Sequence, residues 1–287
     1  MFVIKTIINL ISIRSISILI ISLCVGTLLS CSGGDVTGQQ FNISTDGINF
    51  SDPEFTVNDT FKYDFPVENH IRVKVEAING EVIVTGQEDT NRVLVTAHLY
   101  VSSDNLVDAE LHLEDLDILV TESTTEILIQ TVQPENINGR KYSVEYDIFV
   151  PISFEVVVSQ TNGTITILDI QNSVEVSNEN GEVFLYGIVG GIIADVENGS
   201  IEGNVVLPHN ESIDLSVDNG SLELNIPTSI SAEFSATVNG IGEITVSNLN
   251  ITDSLITGKS HTGTLGYGEG SIVLSTVNGD IEVFGID

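Results

Sequence analysis

An Asn-Gly pair recurs at near-constant spacing through the second half of this chain of 287 residues. Successive glycines of these pairs are 18, 18, 21 and 20 residues apart, and one more follows after 39, which is about two further intervals. They are Gly163, Gly181, Gly199, Gly220, Gly240 and Gly279. Apolar residues stand two and four positions after most of them, which predicts a strand with one buried face. Internal periods of about 20 to 50 residues indicate stacked repeats, so few folds can accommodate this spacing.

The repeat predicts an all-β fold. A unit of 18 to 21 residues holds two short strands and two turns, and it cannot bury its apolar residues without neighbours. We therefore expect a repetitive parallel β-solenoid, similar to a β-helix, whose inward side chains form aliphatic columns. A β-sandwich or a meander of hairpins is the alternative, because a single Asn-Gly pair between alternating apolar residues also predicts a type I′ hairpin turn.

Stacked repeats would give the Asn-Gly pairs a structural role. Each asparagine could hydrogen-bond to the asparagine above and below it, while each glycine takes the positive φ of the bend. One earlier pair, at residues 79 and 80, obeys the same pattern. The residues to which we assign this turn role are Asn79, Gly80, Asn162, Gly163, Asn180, Gly181, Asn198, Gly199, Asn219, Gly220, Asn239, Gly240, Asn278 and Gly279.

Two repeats depart from the regular pattern, and in the first of them Ile201 is followed by Gly203 where an apolar residue is expected. The apolar residues of the Gly240 repeat come later than usual, at Ile244 and Val246. In the gap of 39 residues, Thr262-Gly263 stands where the missing pair would fall, and Tyr267 is one of the apolar residues expected to point inward after it.

The first half of the chain predicts similar strands before the regular repeats begin. Alternating apolar residues indicate strands at residues 72–77, 81–84, 94–100, 126–131 and 142–150, the last ended by Pro151. Residues 104–115 have the imperfect apolar face of one short helix. We expect a tether and a loosely packed segment over residues 31–69, and one domain of β-strand repeats over residues 70–287.

The first thirty residues predict a secretion signal. Lys5 and Arg14 precede an apolar run at residues 15–29, which is too short and too close to the amino terminus for a typical membrane-spanning helix. The run ends in LLSC, which resembles the bacterial lipobox and implies that Cys31 becomes the lipidated amino terminus of the mature protein. Cys24 would leave with the signal, so Cys31 would have no disulfide partner. We expect residues 1–30 to be a lipoprotein signal peptide and the protein to be anchored in the cell envelope, outside the cytoplasm.

The charge is strongly acidic, with 41 Asp and Glu residues against 9 Lys and Arg residues. Lys259 is the only lysine or arginine after Lys141. A formal net charge of −32 repels phosphate backbones, so we expect no nucleic-acid partner. The acidity is typical of a solvated surface, and it also favours cationic or calcium-bridged partners.

No constellation in the sequence predicts catalysis. Lys259 and His261 lie in a Gly-, Ser- and Thr-rich stretch at residues 257–263, which indicates an exposed loop. So many carboxylates are present that a glycosidase pair cannot be recognised by counting them. The histidines have no zinc-site spacing; they are His70, His98, His112, His209 and His261. We therefore expect no catalytic residue and no cofactor.

Carboxylates recur near the predicted turns. A solenoid would stack some of them into oxygen-rich sites of the kind that Ca²⁺ prefers, and they are Asp195, Glu197, Glu202, Asp214, Asp218, Glu223 and Asp253. The calcium-binding nonapeptide repeat is absent, since Gly190-Gly191 lacks the later glycine and aspartate of that motif. We expect no dedicated metal site.

Read in series, the repeats also resemble a known family. Their units are TNGTITI, ENGEVFL, ENGSIEG, DNGSLEL and GYGEGSIVLSTVNGDIEVFG. Over residues 70–287 they are similar to the DUF4097 family of adhesin-like β-strand repeat proteins of the bacterial envelope. The resemblance implies a β-helix-like fold and an extracytoplasmic location, and it brings no catalytic residues.

These observations predict a lipid-anchored envelope protein whose repeat domain has a binding or structural role and no catalytic activity. The repeats would provide an extended surface on which weak contacts add up, which suits adhesion to a surface polymer or a matrix. An envelope-stress component that captures cationic peptides is the second hypothesis. A carbohydrate-active β-helix enzyme is the third.

Overall fold

Sixteen strands of the described chain join into one hydrogen-bonded sheet whose strand order does not close on itself. The structure is a computed structural model that describes residues 55–67 and 69–287. The expected signal peptide, the lipidation site at Cys31 and most of the expected tether lie outside the described residues.

The strands cover most of this part of the chain. They are β1 (Phe55–Pro66), β2 (Arg72–Gln87), β3 (Arg92–Ser103), β4 (Asp117–Glu122), β5 (Glu126–Val132), β6 (Lys141–Pro151), β7 (Glu155–Leu168), β8 (Val174–Val189), β9 (Ile192–Val206), β10 (Ser212–Pro227), β11 (Ala232–Val238), β12 (Ile244–Ser247), β13 (Ile251–Ile256), β14 (Ser260–Leu265), β15 (Gly270–Asn278) and β16 (Ile281–Ile286). One helix, α1 (Leu106–His112), continues into a 3₁₀ turn at Leu113–Asp115. Within the described residues, the predicted all-β fold, the early strands and the short helix are confirmed.

The long strands bend at their Asn-Gly pairs. In β7, alternate residues from Val156 to Gln160 are buried before the pair, and Ile165 and Ile167 are buried after it. The buried positions change from even to odd numbers across Gly163. Because successive side chains of a strand point to opposite faces, the same side can stay buried only if the backbone bends at the pair. Gly163 has the φ of +132° that this bend uses.

Five bent strands stand side by side in the middle of the sheet. The order is β2, β7, β8, β9 and β10, and every neighbouring pair is parallel. Their register places one Asn-Gly pair beside the next, so the bends coincide. Neighbouring strands of a sheet lie about 4.8 Å apart, and equivalent residues therefore form rows across the sheet.

Both ends of the sheet contain strands inserted out of chain order. The strand β6 lies between β2 and β3, and β15 lies between β10 and β11. The second half of β10 pairs with β16, which in turn pairs with β12. Antiparallel pairs complete the two ends, with β1 on β3, β4 on β5, and β13 on β14.

The interior consists almost entirely of aliphatic side chains. In each central strand the inward residues before and after the bend are buried, and the register places the inward residues of neighbouring strands side by side. Such columns stabilise the fold by about 1.5 to 3 kcal/mol for each fully buried Val, Leu or Ile side chain.

Residues 55–66 are most of the part of the expected tether and loosely packed segment that the structure describes. They form β1, whose twelve residues all pair with β3, and Phe65 is buried against the core. Val57 and Phe61 are partly buried against the same core, whereas most other residues of β1 are exposed.

Candidate functional site

The asparagines of the bends form a continuous ladder. Each Nδ2 donates a hydrogen bond to the Oδ1 of the asparagine on the preceding strand, at 2.9 to 3.1 Å. At one end, Asn79 Nδ2 donates to the carbonyl oxygen of Tyr142 at 3.1 Å. The members of this asparagine ladder are Asn79, Asn162, Asn180, Asn198, Asn219 and Asn278. All five side-chain bonds have the same direction.

The glycines beside the ladder allow the backbones to approach closely. Gly199 has φ +152°, and a Cβ on it would overlap the carbonyl oxygen of Gly181. The same overlap recurs where Gly220 meets Gly199 and where Gly279 meets Gly220. A side chain at these positions would therefore clash with the neighbouring backbone, besides being strained at positive φ.

Asn239 and Gly240 do not make the bend in the way that the other Asn-Gly pairs do. Gly240 does not have a positive φ, and the bend is made by Gly242, whose φ is +147°. A Cβ on Gly242 would overlap the carbonyl oxygen of Gly279, as at the other bends. The sequence contained the signal, because Ile244 and Val246 stand two and four positions after Gly242. No asparagine precedes this glycine, so the ladder ends at Asn278.

The expected turn at Thr262-Gly263 is wrong. Both residues lie in β14, which pairs with β13 in an antiparallel hairpin. Tyr267, expected to point inward, is 92% exposed in the connection that follows. The 39-residue gap therefore contains an inserted hairpin in place of a further Asn-Gly bend.

The outer face of the sheet beyond the bends carries a row of carboxylates. Glu202, Glu223 and Glu282 are in register on β9, β10 and β16. Each is the third residue after a bend glycine, and this shared position is the sequence signal that marks the individual carboxylates. No lysine or arginine pairs with these three side chains in the described chain. Lys259, the only such residue after Lys141, donates to the backbone oxygen of Gly242 at 3.3 Å.

Two aromatic rings continue this row on β8. Phe184 is in register with Glu202, and its ring stacks on Tyr186 at a centroid distance of 6.0 Å and an interplanar angle of 21°. Tyr186 Oη donates to Glu202 Oε1 at 2.7 Å. Burial, followed by this hydrogen bond and by the charge of Glu202, raises the pKa of Tyr186 to about 12. The hydroxyl therefore remains a neutral donor at physiological pH.

Amides lie beside the carboxylates on the same face. Asn204 is in register with both Tyr186 and Asn225. Asn225 Nδ2 donates to Glu223 Oε1 at 3.1 Å, which holds that carboxylate in place. We name this surface the acidic-aromatic strip. It consists of Phe184, Tyr186, Glu202, Asn204, Glu223, Asn225 and Glu282.

The other carboxylates that recur near the turns do not join the strip. Asp195 and Asp214 lie on the strand halves before the bends, where Ser216 Oγ donates to Asp195, and Asp253 lies on β13. In the part of the chain that the structure describes, no group of three or more His, Cys, Asp or Glu side chains is arranged to hold a metal ion.

His261 lies on β14 and not in the expected loop. Its ring packs edge-on against Phe234, its Nε2 is 3.0 Å from Ser254 Oγ, and burial lowers its pKa. No carboxylate of the described residues hydrogen-bonds to its other ring nitrogen, so the histidine and serine lack the third group that orients a catalytic base. His261 belongs to the packing of the hairpin.

Among the described residues, no helix has the length and apolar character needed to span a bilayer.

Several solved structures are similar to this chain at low sequence identity. A candidate cell adhesion protein from Clostridium sporogenes is 13% identical, covers 79% of this chain and 100% of its own, and has a TM-score of 0.36. A candidate adhesin from Bacteroides fragilis is 14% identical, covers 79% and 97%, and has a TM-score of 0.28. A candidate lipid binding protein from Parabacteroides distasonis is 10% identical, covers 80% and 97%, and has a TM-score of 0.21.

No protein-family model matches the chain, and no curated protein matches it. The similarity to the DUF4097 family therefore stays a resemblance, and likenesses at these TM-scores carry no argument about function.

Proposed function

We propose that this protein is a lipid-anchored envelope protein whose β-solenoid binds cationic partners through the acidic-aromatic strip and thereby acts as an adhesin. The observation that carries the proposal is the row of three carboxylates in register without a lysine or arginine partner. Like charges on directly neighbouring strands destabilise a sheet. A bound cationic chain would offset that cost, which is the physical reason for assigning the row to binding.

The proposed solenoid accounts for the even spacing of the carboxylates in the acidic-aromatic strip. The strands β7, β8, β9 and β10 pair in parallel with one bend beside the next, which supports a solenoid in which each coil lies about one strand spacing from the previous one. Carboxylates would then recur about every 4.8 Å along the stack. A polymer with closely spaced cationic groups, such as an amino sugar polymer or a lysine-rich peptide, matches that arrangement.

The aromatic pair adds a second kind of contact for the same partner. A cation above Phe184 or Tyr186 would be attracted by the ring face, at roughly 0.5 to 1 kcal/mol for an exposed site. The ring faces also suit the apolar face of a sugar ring. Asn204 and Asn225 beside them provide donors and acceptors for hydroxyl groups.

The binding hypothesis is tested by replacing the three carboxylates together. Glu202→Gln, Glu223→Gln and Glu282→Gln keep the size of the side chains and remove three charges. Binding of chitosan oligomers and oligolysine should weaken by about tenfold or more, because each exposed charge pair contributes up to about 1 kcal/mol. The matched control replaces Glu81, Glu88 and Glu114, which are exposed elsewhere, by Gln and removes the same net charge.

Two outcomes would contradict the assignment of the strip. Either the control variant loses as much affinity as the strip variant, or the fully acetylated chitin oligomers bind as well as chitosan. Added salt should weaken binding of both cationic probes. If short cationic peptides bind as tightly as long polymers, the envelope-stress hypothesis of peptide capture is favoured over adhesion.

The remaining parts of the proposal have their own tests. Cys31→Ala should release the protein from membranes, and a variant that stays in the detergent phase would contradict the lipid anchor. Turnover of uronate or amino sugar polymers by the purified protein would favour the carbohydrate-active enzyme and overturn the non-catalytic assignment.

A further inference from the structure

The chain contains eight Asn-Gly pairs, and the structure places them in very different surroundings. Six belong to the asparagine ladder, and Asn239-Gly240 precedes the last bend. The eighth, Asn138-Gly139, forms an exposed turn between β5 and β6. We propose that Asn138 is a site of spontaneous deamidation in the folded protein and that the ladder protects its asparagines from the same reaction.

The reaction needs only the two residues and water. The backbone nitrogen of the glycine attacks the side-chain Cγ of the asparagine, a C–N bond forms, and the side-chain nitrogen leaves as ammonia with the proton from the glycine nitrogen. Water then opens the cyclic imide at either carbonyl and yields aspartate or isoaspartate. Glycine favours the attack because it has no Cβ to obstruct the nitrogen and because its backbone rotates freely.

The turn at Asn138 leaves both reacting groups free to move. Asn138 has φ +49° and Gly139 has φ +83°, and one backbone bond from Arg140 N to Ile137 O closes the turn. A Cβ built on Gly139 would meet nothing within 4 Å, so there is room for the cyclic intermediate. The side chain of Asn138 is exposed, and its carboxamide makes no hydrogen bond to the residues that the structure describes.

In the ladder, the corresponding asparagine carboxamides and glycine nitrogens are restrained. Asn180 donates to Asn162 Oδ1 and accepts from Asn198 Nδ2, both at 3.1 Å, so its carboxamide cannot turn toward the next backbone nitrogen without breaking two bonds. The neighbouring glycines lie against the backbone of the preceding strand. Conversion inside the ladder therefore requires local opening of the sheet, which lowers the rate in proportion to the population of the open state.

Asn239 combines features of both groups. Its side chain is exposed, but its backbone N–H donates to Thr276 O at 2.8 Å, and Gly240 packs closely against Val277. We expect it to convert more slowly than Asn138.

Peptide mapping by mass spectrometry tests the proposal on the full-length chain. The protein is held in mildly alkaline buffer, and aspartate and isoaspartate are quantified at all eight sites over time. Asn138 should convert at least about tenfold faster than any ladder asparagine, because only the ladder sites wait for local opening. Both isomers should form at residue 138, which distinguishes the cyclic route from direct hydrolysis.

Two comparisons make the result decisive. In concentrated urea the ladder sites should accelerate and approach the rate of Asn138, whereas ladder sites that stay slow there would show that local sequence protects them. Gly139→Ala should suppress conversion at Asn138 and leave the other sites unchanged. The proposal is overturned if a ladder asparagine converts as fast as Asn138 in the folded protein, or if Asn138 does not convert.

Discussion

At the scale of single residues, the asparagine ladder connects strands that are far apart in the chain. Asn278 and Asn219 are 59 residues apart, yet they make the same bond as Asn180 and Asn162, which are 18 apart. Every interior member both donates and accepts. A substitution therefore removes at least two hydrogen bonds, and water can replace the lost partners only because the neighbouring side chains are exposed.

Asn198→Ala should lower the free energy of unfolding by about 0.5 to 1.5 kcal/mol, the usual net contribution of an intramolecular hydrogen bond, because Asn198 is exposed. The matched control is Asn204→Ala on the same strand, β9, because Asn204 is exposed and lies outside the ladder. Urea denaturation of both variants measures the difference. Equal stability of the two variants would mean that the hydrogen bonds of the ladder contribute nothing to the free energy of unfolding.

At the scale of elements, the carboxylate of Asp108 links α1 to the sheet by hydrogen bonds. Asp108 accepts hydrogen bonds from Arg140 Nε and Nη2, both at 2.7 Å, and from Ser103 Oγ at 2.7 Å. The Arg140 hydrogen bonds, and then that of Ser103, lower the pKa of Asp108 from 3.8 to about 2. The ionised carboxylate thus connects the helix to the end of β3 and to the start of β6.

Asp108 should make stability depend on pH in the acid range. Its pKa is lower in the folded than in the unfolded protein, so its contribution is present above pH 3.8 and is lost as the pH falls toward about 2. Urea denaturation at a series of pH values should show the stability advantage of wild type over Asp108→Asn shrinking across that window. Glu114→Gln, a nearby exposed site, is the control. An advantage that does not change with pH would contradict the role of the ionised carboxylate.

At the scale of the whole molecule, the proposed solenoid predicts that the chain tolerates the removal of one complete unit. Deleting residues 174–191 removes 18 residues, one repeat interval, and brings Ile192 into the position of Val174 beside Val156. The shortened protein should keep its β-sheet circular dichroism and unfold cooperatively, because the new neighbours have matching core residues and matching bends.

The control deletion removes half a unit, residues 174–182. It places inward residues on the wrong side of the bend, and we expect it to abolish cooperative unfolding. If the two deletions behave alike, the register of the bends does not organise the fold, and the hairpin meander regains support.

Local patterns predict the middle of this molecule and fail at its ends. Glycine followed by apolar residues at the second and fourth positions is a feature of each strand by itself, so the bends at Gly163, Gly181, Gly199 and Gly220 could be predicted. The insertion of β15 between β10 and β11 could not, because it depends on which edge a later strand joins. The same limit concealed the full row of carboxylates, since Glu282 is 59 residues beyond Glu223 and meets it only through that insertion.

The inserted position of β15 and β16 also has a consequence for synthesis. A chain made from its amino end presents β10, β11 and β12 before the two strands that separate them exist. During that interval β10 and β11 each have an unpaired edge, and unpaired edges are sites at which strands from other chains can join. Completion of the domain therefore depends on the last strands arriving before a competing strand does. The interval between synthesis of residue 238 and of residue 286 is therefore a period in which the chain is exposed to aggregation.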